Sequence, residues 1–481
     1  MDEIISNNQL ATFLRRQIFL NPEYNKQPKL DNLKYCGSRV INPSTPAAVK
    51  LIANKKESKF TGITCCHSTW SCPHCSAKVL AQKAGDIAVA IDALATWFKL
   101  RPMMITFTLP HTENMSCQET YTILQKAWRQ FANGGRNKKQ YVLKRTVGES
   151  QNISYGKADG TKNKYDKRAV GTAGDIKTYE KKIISTKFKD DLDIKHSVRA
   201  YEFTWGENSW HPHIHALFWT HEKNWDKIAE YEPALFEYWW KCTKHQALKY
   251  WNQKYPDQKE ENLKRVNNLF TEWRKEPNAA HRSLYISKDV NGAVLKMSSS
   301  RYICGWGGDN ELTNQAHAKT PREGHYTPFQ ILELAYKNAN ERQKWLDLFI
   351  EYAKATHGHR RIEFSTHSGI RQIINKWKKT NTYITAYKKK VAESGGKFKI
   401  IYWFTSKQWK QICWIDTESD SEIKQQILDY AMLPDGKKLI TELLLALEIP
   451  LWTPANEASE LSIKHYLEQY EANLYGNREP A

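Results

Sequence analysis

Residues 208 to 219 read NSWHPHIHALFW and set His211, His213 and His215 two residues apart. On a β-strand, side chains at i, i+2 and i+4 leave the same face. If Ile214, Ala216, Leu217 and Phe218 pack into a core, the three imidazoles line the other surface together. Neutral imidazoles gathered on one patch make a poor core and a good site for a divalent metal. The residues before them, RAYEFTW and then Gly206, Glu207 and Asn208, complete a β-hairpin over 199–219. Folding it about its turn sets Glu202 opposite His213, on the histidine face. A carboxylate beside imidazoles is a mixed nitrogen and oxygen site, suited to Mn²⁺ or Mg²⁺ and also to Zn²⁺. One histidine alone reads as a packed or surface residue; three at period two facing a glutamate are hard to explain as packing.

A second group of ligand-type residues lies upstream. GITCCHSTWSCPHC holds Cys65, Cys66, His67, Cys72, His74 and Cys75, and Cys36 precedes it in KYCGS. Cys72-x-x-Cys75 is half of a zinc knuckle, because two thiolates at that spacing reach one tetrahedral ion. Cys66 and Cys36 supply the other half. Free buried thiols are the plain alternative, and a redox pair is disfavoured because no thioredoxin-like βαβ pattern surrounds the motif.

These groups sit in a chain of 481 residues, long enough for two or three cores. Its 72 basic and 52 acidic residues leave a formal charge of +20, which favours a polyanionic partner. Nucleic acid fits better than membrane, since neither a basic amphipathic helix nor an apolar run of membrane length appears. The 18 tryptophans and 24 tyrosines offer stacking surface for unpaired bases, though most aromatics in a globular protein are core. The N-terminus begins acidic, without a charged region leading into an apolar run, so a cytoplasmic protein is expected. Its nine cysteines are then thiols or metal ligands rather than disulfides.

Four regions follow from the pattern. Residues 1–35 are polar and read as an N-terminal arm, and 36–80 as a Cys-rich zinc-binding module. Residues 81–370 form the main domain, and 371–481 a mostly helical C-terminal region. The main domain opens with a helix from about Ser76 to Leu100, whose Val79, Leu80, Ala84, Ile87, Ile91 and Leu94 recur at helical spacing. MMITFTLPH, 103–111, reads as a buried strand ended by Pro110. From about 134 to 196 the sequence is rich in Lys, Gly, Asn and Asp, and reads as a basic surface insertion. That insertion is a solvated loop or a DNA contact. Helical patterns fill 224–276. No G-x-x-x-x-G-K-[ST] run occurs, which argues against a built-in P-loop motor.

The phrase VRAYEFTWGENSWHPHIHALFW, following FTLP, resembles the histidine motif of rolling-circle plasmid replication initiators. These belong to the HUH endonucleases, named for two histidines flanking a hydrophobic residue. SSRYICGWGGDNELT resembles their tyrosine motif, and HYTPFQIL and EYAKATHGHRRIEFS the segments after it. The likeness runs from about 36 to 371. The tyrosine motif follows the histidines, as in initiators, whereas relaxases place it before them. Often the initiators carry a similar cysteine run ahead of the first motif.

The resemblance implies an α+β fold with the histidine strand central in an antiparallel sheet flanked by helices. It also implies single-strand nicking and joining, in which a tyrosine attacks the scissile phosphate. The products are a 5′-phosphotyrosine and a free 3′-OH, with a host helicase and a DNA polymerase as partners. A phenol with a pKa near 10 is a weak nucleophile, so a metal at the histidines must polarise the phosphate. Tyr302 matches the family's nucleophile, but the usual Tyr-x-x-Lys is broken by Gly305. An intact Tyr-x-x-Lys occurs at Tyr285 and Lys288, in a run that alternates like a strand. Tyr302 is the expected nucleophile and Tyr285 the alternative. Two rival functions stay open: a single-strand transposase of the HUH type, and a non-enzymatic zinc-containing DNA-binding regulator.

Overall fold

In chain order the elements begin with α1 (Asn7–Leu20), β1 (Val49–Ala53), β2 (Ser58–Thr61), α2 (Pro73–Phe98), β3 (Leu100–Thr108) and α3 (Cys117–Ala132). A hairpin of β4 (Gln140–Arg145) and β5 (Lys177–Lys182) follows. After it come β6 (His196–Gly206), β7 (Ser209–His221), α4 (Trp225–Lys254), α5 (Lys259–Lys275) and β8 (Leu284–Ser287). The last part holds α6 (Pro328–Lys337), α7 (Arg342–Thr356), β9 (Ile362–Phe364), α8 (Ile370–Lys378) and β10 (Lys399–Phe404). It ends with α9 (Ser406–Glu418), α10 (Ile423–Tyr430) and α11 (Gly436–Ala446). The structure, a computed structural model, describes residues 5 and 7–451 except 46, 55–57, 133–139, 146–176, 183–188, 190–191, 276–283, 288–323, 366–367, 380–397 and 419–421.

The fold is α+β. Its main sheet has five antiparallel strands in the order β8-β3-β7-β6-β9, so the histidine strand β7 is the middle one. Burial along β7 alternates over 209–214 and is then continuous to Thr220. The even positions Trp210, Ile214, Ala216 and Phe218 enter the larger core with Phe107 and with residues of α3, α4 and α7. The odd positions Leu217 and Trp219 enter a second core with Leu80, Ile87, Ala90 and Leu94 of α2 and Ile370 and Ile374 of α8. Leu217 therefore shares the histidines' face rather than opposing it. Helices α2 and α8 cover that face over the 217–219 end, and His211 and His213, at the other end, are only partly buried.

Local signals place α2 well. Cys72 is its N-cap, accepting from the Cys75 N–H, Pro73 takes the first turn, and Lys99 closes it in the left-handed region at φ 54°. The helix and the strand after it each begin three residues earlier than their periodicity suggests, and β3 stops at Thr108, before Pro110.

Residues 7–35, within the arm expected over 1–35, are instead structured. Leu10, Leu14 and Ile18 of α1 are buried in the larger core, and Arg15 donates to the Cys36 carbonyl at 2.7 Å. Polar neighbours mask a buried stripe at helical spacing. The C-terminal region is mainly helical as read, but Trp403 lies on β10. That strand pairs with β1 in a second sheet, β10-β1-β2, which rests on Trp409, Ile412, Ile427, Ile440 and Leu444. Within the basic insertion the described main chain forms the two-stranded β4–β5 hairpin. Just after it Leu192 is buried, its carbonyl accepting from Asn224 at 3.2 Å.

Candidate functional site

Strand register assembles the histidine patch. β6 and β7 set Thr204 opposite His211, Glu202 opposite His213 and Ala200 opposite His215, while β3 sets Thr106 opposite His215. The turn-based register for Glu202 and His213 is the one found. The carboxylate, however, reaches the diagonal neighbour: Glu202 Oε2 lies 2.7 Å from His215 Nε2. Burial would raise the Glu202 carboxyl, but the hydrogen bond from His215 and the charges of His215, His213 and Arg361 outweigh it and hold it at about 2. An ionised carboxylate only accepts, so His215 Nε2 donates. His215 Nδ1, at the other edge of the ring, lies 2.9 Å from the Thr106 hydroxyl. Thr106 is thus a site residue that the sequence pattern did not single out.

The imidazoles stand in a row. Ring centroids are 6.0 Å apart for His213 and His215, and 4.3 Å for His211 and His213. The row continues to His111, just past Pro110 on the β3 side. His111 Nε2 contacts His211 Nδ1, and His111 Nδ1 lies 2.9 Å from the Asn208 carbonyl in the hairpin turn. Burial pushes His111 down to about 4, against the hydrogen bond to Asn208. His211 is held well below its ordinary value by burial, and by the charges of His213, His111 and His325. Near neutral pH both rings are uncharged, the form that ligates metal. His325 follows from Gly206: a Cβ there would stand 2.6 Å from His325 Nδ1, so glycine lets that ring approach the hairpin. The contact is fixed by Tyr326, which exchanges two 2.8 Å backbone hydrogen bonds with Trp205.

His213, His215 and Glu202 have the donor types of a divalent-cation site, with His211 beside them. Imidazole nitrogen and carboxylate oxygen already meet at the His215–Glu202 hydrogen bond, where a cation would replace the shared proton. The group is less drawn together than the cysteines. Among the described residues, Cys36, Cys66, Cys72 and Cys75 form the one set of three or more whose ligand atoms all lie within 4.8 Å of one another.

That cluster has the form of a tetrahedral thiolate site. Cys36 Sγ is 3.6 Å from Cys72 Sγ and 3.5 Å from Cys75 Sγ, close to the roughly 3.8 Å edge of a tetrahedron with Zn–S near 2.3 Å. Backbone N–H groups of Cys66, Ser68 and Cys75 point at the sulfurs of Cys36, Cys66 and Cys72 at 3.4–3.5 Å. Hydrogen bonds from Cys66, Cys72 and Cys75 hold the Cys36 thiol far below its ordinary value, while Cys36 and burial push those three thiols up, so without a metal one sulfur of the four carries the thiolate. The four thiols can hold a Zn²⁺ ion. Cys65, next to Cys66, falls outside the four-sulfur set.

Of the tyrosine candidates, Tyr302 with Gly305, and Lys288, lie outside the described residues. The main chain at Tyr285 is on β8, as its alternation predicts, opposite Thr106 and in the sheet row of His215. Among the described residues no helix is long and apolar enough to cross a membrane.

Fold and site together define an α+β protein with a histidine and carboxylate patch on a central antiparallel sheet and a four-cysteine cluster at the start of the helix that covers its other end. The chain is similar to "Protein rep" of Streptomyces lividans, 24% identical over 339 residues, a match covering 65% of this chain and 64% of that protein. It therefore spans less than two thirds of that relative's length. No family model matches the sequence, and no solved structure matches it.

Proposed function

We propose that the chain initiates rolling-circle DNA replication, as a metal-dependent, site-specific enzyme that nicks and rejoins one DNA strand. The observation that carries this reading is the placing of His213, His215 and Glu202 together on the partly open face of the central sheet. The similarity to Protein rep supports a role in replication, and the +20 charge suits a DNA partner. In this reading the nickase unit is residues 81–370 with its insertion at about 134–196, flanked by the cysteine module and the C-terminal region. Cys36, Cys66, Cys72 and Cys75 hold a structural Zn²⁺. Unwinding and extension fall to a host helicase and DNA polymerase.

His213, His215 and Glu202, with His211, are the residues that would hold Mn²⁺ or Mg²⁺. A cation held there would supply polarisation of the scissile phosphate. The Tyr302 oxygen, having lost its proton, bonds to phosphorus; the bond from phosphorus to the 3′-oxygen breaks, and that oxygen takes up a proton. A 5′-phosphotyrosine and a free 3′-OH result, and reversal of the step rejoins the strand. Tyr285, with Lys288, is a second candidate nucleophile. Its main-chain position in the row of Thr106 and His215 favours it.

The test is incubation with Mn²⁺ and a supercoiled plasmid carrying the protein's own replicon. Nicked circles with the protein attached at the 5′ end are expected, and mass spectrometry of the adduct peptide names the tyrosine. Tyr302→Phe should bind DNA and form no adduct. An adduct at Tyr285 would reassign the nucleophile, and tight binding without nicking would point to a DNA-binding regulator.

A further inference from the structure

His111 lies outside the alternating pattern of β7, yet it closes the row of imidazoles from the β3 side. We infer that His111 is a positioning residue: it holds His211 in the Nδ1–H tautomer and so leaves the His211 Nε2 lone pair as a ligand for a divalent cation. The inference rests on the cation reading of the patch and adds a residue that the histidine motif does not contain.

The argument is one of donors and acceptors. The Asn208 carbonyl can only accept, so the His111 nitrogen 2.9 Å from it, Nδ1, must carry a proton. His111 is 7% exposed and is enclosed by His211, with a ring centroid 4.5 Å away, and by Trp273 at 6.3 Å. A neutral imidazole carries one proton, so with that proton at Nδ1 the ring has only a lone pair at Nε2. That lone pair faces His211 Nδ1, so His211 Nδ1 must donate. The neutral His211 ring is then unprotonated at Nε2. A ligating histidine usually gives its second N–H to a carbonyl or carboxylate, which fixes the ring and raises its basicity. Here the relay runs from the turn carbonyl through one imidazole to the next. The hairpin turn that sets the strand register thereby also sets the tautomer. A further nitrogen donor makes the set softer, favouring Mn²⁺ over Mg²⁺.

The test uses the zinc-loaded full-length protein without DNA. Long-range proton–nitrogen NMR of ¹⁵N-histidine-labelled protein, with His211→Gln to assign the signals, should show His211 protonated at Nδ1. Titration with Mn²⁺, followed by the free-ion EPR signal, should show about 10-fold weaker binding for His111→Phe, with a smaller loss for Mg²⁺. His111→Gln offers an amide donor for Asn208 and an amide oxygen for His211, and should bind Mn²⁺ within about twofold of the wild type. A purely structural role would not distinguish the two metals or be rescued by glutamine. Finding His211 protonated at Nε2, or unchanged Mn²⁺ affinity in a folded His111→Phe protein, would overturn the inference. Absence of Mn²⁺ uptake by the wild type would instead overturn the cation reading, while the NMR pattern still decides the tautomer.

Discussion

Cys72 has two duties that a single substitution separates. Its sulfur belongs to the four-thiol cluster, and it also caps α2 by accepting from the Cys75 N–H at 3.5 Å. Serine is among the best N-cap residues, so Cys72→Ser keeps the cap and removes only the thiolate. A structural zinc site contributes about 10–16 kcal/mol, so an equal share for one of four ligands is ~2.5–4 kcal/mol. Zinc affinity should therefore fall by about 10²–10³-fold. Competition with a chromophoric chelator measures that loss, alongside metal analysis expected to give one zinc per wild-type chain. Cys65→Ser is the control, because Cys65 falls outside the set gathered within 4.8 Å, and it should leave zinc affinity unchanged. The reasoning fails if Cys72→Ser binds zinc as tightly as the wild type, or if Cys65→Ser loses as much. On chelation, the region around Cys36 and the start of α2 should become protease-sensitive before the five-stranded sheet unfolds.

His213→Ala and His215→Ala should each abolish plasmid nicking while duplex binding stays within about threefold, because affinity comes mainly from phosphate contacts; nicking and gel-shift assays on the same preparations check this. In metal-free protein, Glu202 is held at about 2, below its ordinary value, so its stabilising effect is complete above about pH 4.5 and is lost as pH falls toward 2. The melting temperature of the wild type should exceed that of Glu202→Gln at pH 6, and the gap should close between pH 4.5 and 2; a constant gap would refute the assignment. Leu14→Ala, at a position 2% exposed, should cost about 2–5 kcal/mol in urea unfolding, a loss that a detached arm would not produce.

The histidine hairpin is legible in the sequence because both of its signals are local. Alternation fixes the face, and a short turn fixes the register, so the pattern alone sets Glu202 against His213. The diagonal reach to His215 is not legible, since it depends on side-chain rotamers. His111 and Thr106 carry a weaker signal. They belong to the strand that pairs with β7 and the residues just past it, and its register, Thr106 to His215, is a long-range choice that no short window encodes. Helix α1 is visible in principle at Leu10, Leu14 and Ile18, but Asn7, Asn8 and Gln9 ahead of them and Thr12, Arg15, Arg16 and Gln17 between them dilute the stripe. The β10–β1 pairing lies beyond reach, because the segments that form it are far apart in the sequence.

That pairing has a consequence for the making of the protein. During synthesis, β1 emerges early and its partner β10 only more than three hundred residues later. At ~5–20 residues per second the interval is roughly 20–70 s. Over that time the β10-facing edge of β1 has open hydrogen-bonding groups, and Val49 and Leu51, fully buried in the finished fold, lack Phe404 and Trp409 as cover. A chain whose synthesis stalls between about residues 370 and 398 thus holds all five strands of the main sheet while β1 still lacks β10 and remains an adhesive edge. Truncated products ending near residue 370 should accordingly be caught by chaperones or aggregate, whereas chains that include β10 and α9 to α11 should not.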